Sequence, residues 1–250
     1  MTYDPLDKVI VVTGGASGIG YEIANHFLQN GAKTLIILDI NEDVGVNAVK
    51  TLNDKYGKGK AVFIKCDVSK DLEKVSEEIF QKYQVDVLVN NAGILNEDSF
   101  RKTIEVNCIA VVDWSMKFWE YSRKDKGGRG GTIYNVASIY GYQHVPWAVF
   151  YQTSKHGVIG FTRSLGHPYN YNKSGVRVIA ICPGVTATSI QAGNKWDWQL
   201  EGIENVIKNE VIVQTPETVG KAAVEIFTFA ETGTLWVKEN DEPIKLAPMC

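Results

Sequence analysis

Tyr151 and Lys155 stand four residues apart at the end of SIYGYQHVPWAVFYQTSK, the stretch from Ser138 to Lys155. On a helix, positions i and i+4 share a face, so the phenol and the ammonium project together. A free tyrosine has a pKa of about 10 and is a poor base near neutral pH. A neighbouring cation favours the phenolate and lowers that value. The spacing therefore predicts a phenol able to exchange a proton with an alcohol or a carbonyl. Ser138, upstream, is a candidate hydrogen-bond donor to the same substrate oxygen. The pair also has a plain reading, an aromatic flank beside a solvated lysine, and the rest of the chain must decide between the two.

The elements that would position these groups follow from chain order. KVIVVT, Lys8 to Thr13, is an apolar β-branched run suited to a strand buried on both faces of a parallel sheet. Gly14-Gly15-Ala16-Ser17-Gly18-Ile19-Gly20 follows, then a helix with Ile23, Ala24, Phe27 and Leu28 on one face and a stop at Gly31. Glycines allow a sharp turn and close backbone approach. The helix N-terminus offers free N–H groups to a pyrophosphate. Thr34 to Asp39 reads as the second strand, with Asp39 at its end, where a dinucleotide fold holds the adenosine ribose hydroxyls. A carboxylate there repels a 2′-phosphate, residues 40–49 contain no Arg or Lys, and position 17 is Ser. NAD is thus expected over NADP.

Helix 43–56, strand 61–65, helix 69–83 capped by Ser69, and strand 85–89 continue the alternation, which argues for parallel β-α-β units. Asp67 sits at a strand end, within reach of an adenine amino group. Asn90, Asn91 and Gly93 lie at the edge where open α/β sheets bind ligands. Residues 100–123 read as one long helix carrying Asn107, an amide among apolar neighbours that needs a partner. It is either a satisfied core amide, a kink, or a group holding a water on a proton path. Trp114, Phe118 and Trp119 fit a subunit contact or core packing. Strand 132–137 leads to Ser138, helix 151–165 carries Tyr151 and Lys155, and strand 176–181 ends in Cys182-Pro183-Gly184. Thr186 and Thr188 could bind a carboxamide or phosphate. Residues 189–213, with Trp196 and Trp198, read as a lid or substrate loop, or as a small helical pair packed on the sheet. Thr215-Pro216-Glu217 starts a helix, residues 233–237 form a last strand, and the tail 238–250 is an arm to a partner subunit or a frayed end.

The chain has 250 residues and a formal net charge of −3, enough for a sizeable core in one α/β domain. No basic block marks a nucleic-acid partner. The four cysteines are scattered, which favours a reducing compartment over a disulfide or zinc site. No apolar run reaches the ~20 residues of a membrane span, and MTYDPLDK lacks a charged-then-apolar leader. A cytoplasmic location is expected.

Taken together, Thr13-Gly14-x-x-x-Gly18-x-Gly20, Asp67, Asn90-Asn91-Ala92-Gly93, Asn107, Ser138, Tyr151-x-x-x-Lys155 and Pro183-Gly184 resemble the short-chain dehydrogenase/reductase family over nearly the whole chain. The resemblance implies a doubly wound, single-domain α/β fold with about seven parallel strands and metal-free interconversion of an alcohol and its carbonyl with NAD. It implies catalysis by Asn107, Ser138, Tyr151 and Lys155, the lysine holding the nicotinamide ribose. It adds Ile19, Ile40 and Val68 to the cofactor-binding set of Gly14, Ser17, Gly18, Gly20, Asp39, Asp67, Asn90, Asn91, Gly93, Pro183, Gly184, Thr186 and Thr188. It also implies a homodimer or homotetramer built through the helices carrying Asn107 and Tyr151. Two NAD-preferring branches look similar: insect-type alcohol dehydrogenases, through KTIEVN, KFWEYSRKDKGGRGGTIYNVAS and GTLWVK, and hydroxyprostaglandin dehydrogenases, through ILDINEDVGV, FIKCDV, SKHGVIGFTRSL and SGVRVIAICPG. From the second branch the chain departs at Ala148, where that branch carries a glutamine. Trp147, Phe150, Trp196 and Trp198 suggest an apolar alcohol such as a terpenoid, steroid or fatty alcohol. The rival reading is a storage or regulatory protein that kept the fold without catalysis.

Overall fold

The computed structural model describes residues 3–191, 212–240 and 242–248. Seven strands form a parallel sheet: β1 Val9–Thr13, β2 Thr34–Asp39, β3 Ala61–Lys65, β4 Val87–Asn90, β5 Gly131–Val136, β6 Val176–Pro183 and β7 Leu235–Lys238. Their order is β3-β2-β1-β4-β5-β6-β7, and β8, Lys245–Leu246, pairs antiparallel with β7. The tail is therefore not frayed at this point; it pairs with the edge of its own sheet. The Ala247 N–H donates to the Leu235 carbonyl at 2.9 Å, and Arg163 donates to the Pro248 carbonyl at 2.7 Å.

Successive strand residues face opposite sides, so an apolar run feeds two cores. Ile10, Val12, Leu35 and Ile37 pack with α1 (Gly18–Gln29), α2 (Glu42–Tyr56) and α8 (Pro216–Phe229). Val9, Val11, Ile36 and Leu38 pack on the other side with α3 (Leu72–Lys82) and α5 (Ala110–Ser122). Trp114, Phe118 and Trp119 lie in this second core, buried within the chain, so they are not a subunit contact. Trp114 donates its indole N–H to the Val68 carbonyl at 3.0 Å. The tyrosine helix α6 (Val149–Leu165) follows β5, and α7 (Pro168–Ser174), absent from the sequence expectation, precedes β6.

Two helix expectations need correction. Ser69 does not cap α3; the N-cap is Asp71, and the Ser69 hydroxyl donates instead to Asp67 at 2.6 Å. The predicted helix over 100–123 is interrupted: α4 (Phe100–Ile104) runs through a π turn, Glu105–Ile109, into α5. Asn107 lies in that π turn.

One buried cation holds the far end of α8. Arg177, on β6, is 1% exposed and faces no carboxylate among the described residues. It donates to Thr132 Oγ1 at 3.2 Å and to the Phe227 and Ala230 carbonyls at 2.9 and 3.0 Å. These last acceptors belong to a helix C-terminus, the negative end of its dipole. The guanidinium also lies 3.5 Å from the centroid of Tyr3. Burial pulls its pKa down to about 10. Arg177→Ala leaves a cavity and several orphaned buried acceptors, a cost of about 3–5 kcal/mol. Thermal melting should show a Tm lower by roughly 5–15 °C; an unchanged Tm would show that the guanidinium does not anchor this helix.

Candidate active site

The strand order turns back between β1 and β4, and at such a switch point the loops leaving the two strands diverge to open a crevice at the C-terminal edge. A cleft is found there, lined by residues from the ends of β1, β2, β4, β5 and β6.

At its first end is the glycine turn. Gly14 has φ +60°, and a Cβ there would come within 2.8 Å of the Ala92 backbone. Gly18 has φ +56° and opens α1. Ser17, the N-cap residue, makes no side-chain capping bond, so the first N–H groups of α1 remain available. The turn is clamped from β4: Asn91 Nδ2 donates to the Thr13 and Gly14 carbonyls at 3.0 and 2.9 Å, while Thr13 Oγ1 accepts the Asn91 and Ala92 N–H groups, both at 3.0 Å. Asp39 accepts from the Ala16 N–H (3.2 Å) and the Asn41 N–H (3.0 Å), which fixes its carboxylate at the cleft wall with lone pairs left for a ligand. These features fit a dinucleotide: a glycine-rich turn, a helix N-terminus without a side-chain cap and an acid at the end of the second strand.

Of the expected cofactor residues, Gly14, Ser17, Gly18, Ile19, Asp39, Ile40, Asp67, Val68, Asn91, Gly93, Pro183, Gly184, Thr186 and Thr188 line the cleft. Asn90 does not. It follows Leu88 on the α5 side of β4, and its Nδ2 donates to Ser115 Oγ (2.8 Å) and Asn135 Oδ1 (2.9 Å). Gly20 is also off the cleft wall; a Cβ there would lie 2.3 Å from the Gly14 carbonyl, so its role is close packing of α1 beneath the turn. Asp67 is drawn up by burial, but bonds from Ser69 and Lys70 outweigh this and hold its pKa below the usual value. The Thr186 hydroxyl is committed to the Gly184 carbonyl at 2.9 Å, whereas Thr188 packs over Gly18.

At the other end, Ser138, Tyr151 and Lys155 line the same cleft. Lys155 is 4% exposed, so the solvated-lysine reading does not hold. Its ammonium donates to the Val136 carbonyl at 2.8 Å and lies 5.6 Å from the Tyr151 ring centroid. Burial lowers its pKa to about 8, against small opposing pulls from Cys182 and Cys108. The Tyr151 phenol is pushed up to about 12 by burial; a hydrogen bond from Ser138 pulls it down and Tyr140 pushes it up. This corrects the sequence expectation. Burial is the largest influence on the phenol, and the ammonium of Lys155 is bonded to the Val136 carbonyl rather than to the phenol oxygen.

Asn107 is wholly buried off the cleft wall. Its Oδ1 accepts the Ile94 N–H at 2.8 Å, and its Nδ2 donates to the Ile94 carbonyl (2.7 Å) and Ser154 Oγ (3.2 Å). The side chain is thus a satisfied amide tying the loop after β4 to the tyrosine helix, and only its backbone is left for holding a water. Phe150 packs on Phe100, with ring centroids 5.7 Å apart, away from the cleft. Trp147 is buried edge-on to Tyr140, which does face the cleft. Ala148 is fully buried and packs with Trp147 beside Tyr151. Trp196 and Trp198 fall outside the described residues.

Sequence reasoning missed the apolar wall made by Ile94, Leu95, Val106, Val185 and Ile190, and also Tyr140, Lys102 and Cys66. Their sequence neighbourhood on motif-bearing loops was the only available signal. Burial raises the Cys66 thiol to about 12, which leaves it unreactive. No described helix is long and apolar enough to cross a membrane.

Comparison with known proteins agrees with this arrangement. The short chain dehydrogenase family matches residues 8–198. The chain is 39% identical over 186 residues to the human 15-hydroxyprostaglandin dehydrogenase [NAD(+)], covering 73% of this chain and 70% of that protein. It is 34% identical over 248 residues to alcohol dehydrogenase 1 of Ceratitis cosyra, covering 96% and 95%. A crystal structure of a short chain dehydrogenase from Bacillus anthracis superposes with a TM-score of 0.72 over 95% of this chain and 99% of that one, at 22% identity, a likeness of fold. A doubly wound sheet, a glycine turn clamped by Asn91 and a Ser-Tyr-Lys group on one cleft thus occur in a chain that belongs to the short-chain dehydrogenase family of oxidoreductases.

Proposed function

We propose that this protein interconverts an alcohol and its carbonyl with NAD, Tyr151 carrying the proton. The observation that carries the reading is that Ser138, Tyr151 and Lys155 share one cleft with Gly14, Gly18 and Asp39. NAD, when bound, supplies the hydride acceptor. The protein supplies position and electrostatics. Gly14, Ser17, Gly18, Asn91 and Thr188 surround the place for the pyrophosphate, Asp39 the adenosine ribose, and Lys155 the nicotinamide ribose. Ser138 orients the substrate oxygen, and the phenol oxygen of Tyr151 gives or takes its proton. A protonated phenol donates to a carbonyl; alcohol oxidation uses the phenolate, whose proton would leave by way of a water held at the backbone of Asn107.

The wall of Ile94, Leu95, Val185 and Ile190 favours an apolar alcohol, a class that takes in terpenoid, steroid, fatty and other hydroxylated lipids. A screen of such alcohols with NAD, read by absorbance of the reduced cofactor, tests this. Turnover confined to small polar alcohols would overturn the apolar assignment. A homodimer or homotetramer in the cytoplasm completes the reading, and the exposed Ile109, Met116 and Val149 on the π turn, α5 and α6 support a subunit contact through these helices.

Asp39 carries the preference for NAD. Asp39→Ala removes charge-assisted bonds to the ribose hydroxyls and the repulsion of a 2′-phosphate. The ratio of kcat/KM for NAD to that for NADP should fall by roughly tenfold or more, since ~1.4 kcal/mol is a factor of ten. An unchanged ratio would show that the carboxylate does not select the cofactor.

A further inference from the structure

The first turn of α6 presents Tyr151 to the cleft, and helix starts leave N–H groups without intrahelical partners. Ser, Thr, Asp or Asn at the N-cap ordinarily satisfies one of them. Here the N-cap is Ala148, which has no side-chain acceptor. The acceptor comes from far upstream. Glu97 is 1% exposed, its Oε2 accepts the Phe150 N–H at 3.0 Å, and its Oε1 accepts the Tyr151 N–H at 2.9 Å. The carboxylate forms no ion pair among the described residues. Its charge is met by the positive end of the α6 dipole.

The backbone bearing Glu97 is itself held. Asn96 Oδ1 accepts the Asp98 and Ser99 N–H groups, both at 3.0 Å, and Thr103 Oγ1 donates to the Asn96 carbonyl at 2.6 Å. Three residues before Glu97, Ile94 is gripped by Asn107, and Asn91 through Leu95 line the cleft. One short segment therefore faces the cofactor side of the cleft and also grips the tyrosine's own backbone.

We propose that Glu97 is the positioning residue for Tyr151, setting the phenol's place relative to the loop that faces the bound dinucleotide. The proposal rests on the reading of Tyr151 as the proton carrier. It does not act through the phenol's acidity; the shift of Tyr151 arises from burial, Ser138 and Tyr140. A displacement of about 1 Å at a reacting group can cost on the order of 10²-fold in rate. Glu97→Ala should therefore lower kcat by roughly 10- to 100-fold, counted per NAD-binding site measured by calorimetry, with NAD affinity changed less than about threefold. Glu97→Gln, which keeps one carbonyl acceptor, should recover part of the loss. Hydrogen exchange at the Phe150 and Tyr151 amides should quicken in the same order, Ala before Gln.

Each outcome decides. A kcat within twofold of wild type in both variants, with faster exchange, would reduce Glu97 to a structural cap and overturn the proposal. Unaltered exchange at both amides would overturn it at its base. If Glu97→Ala does not fold, Glu97→Gln and Glu97→Asp carry the same comparison, because glutamine keeps one acceptor oxygen and aspartate is one methylene shorter. Tyr151→Phe is measured alongside. Full activity in that variant would defeat the proton-carrier reading, whereas an inactive Tyr151→Phe beside fully active Glu97 variants would defeat only the positioning role.

Discussion

Tyr151→Phe is expected to lower kcat/KM for alcohol oxidation by about 10³-fold, within the 10²–10⁴ span of a positioned acid/base. Phenylalanine keeps the ring's packing beside Trp147, Ala148 and Val145, and its backbone N–H still bonds to Glu97. It loses only the phenol oxygen and the bond to Ser138. Melting temperature and NAD affinity should thus stay close to wild type. Steady-state kinetics beside calorimetry check this. Equal kcat/KM in the two proteins would remove tyrosine from the chemistry, and an unfolded variant would show the hydroxyl to be structural.

Lys155→Met should separate activity from stability. Lys155 is a buried cation bonded to the Val136 carbonyl, with no carboxylate paired to it among the described residues. Such a charge is costly to hold unless paired. Its pKa falls from 10.5 to about 8 on folding, through burial. Between those values the unfolded chain binds more protons than the folded one, so this group makes stability rise with pH from about 8 to 10.5. Tyr151 acts oppositely in a higher window: with its pKa raised to about 12, the folded chain keeps a proton from pH 10 upward that the unfolded chain loses, and stability falls there. The lysine's effect is best read between pH 8 and 10. The variant should melt at or above the wild-type temperature at pH 7, and that advantage should shrink towards pH 10. Its turnover should drop by about 10²-fold or more, because the site loses its cation beneath the reacting phenol. A melting difference independent of pH, or unchanged turnover, would contradict this account of Lys155.

The parallel sheet could be read from the chain because each of its strands is a short apolar run and each crossover a helical stripe, features set by local chemistry. The short β8 was not legible, since Lys245 and Leu246 carry no strand pattern and pair only because β7 offers an open edge. Most cleft residues sit on strand-end loops and were visible for that reason. Asn90 and Asn91 were read alike, yet the last residue of a strand and the one that follows it face opposite ways. That alternation sends Asn90 to Ser115 and Asn91 to the glycine turn. Glu97 was invisible because its partners lie 53 and 54 residues away. The acidity of Tyr151 was misjudged for a related reason: spacing shows that a cation is near, but only packing shows the burial that raises the phenol.

The proposed function rests on one step: hydride leaves the carbinol carbon for the nicotinamide while Tyr151 takes the hydroxyl proton. An alcohol found active in the screen, labelled with deuterium at that carbon, tests it most directly by mass spectrometry of the reduced cofactor. The account predicts deuterium at nicotinamide C4 with the wild-type protein and a label-transfer rate about 10³-fold lower with Tyr151→Phe. Reduced cofactor without the label, or equal label transfer by the two proteins, would contradict it.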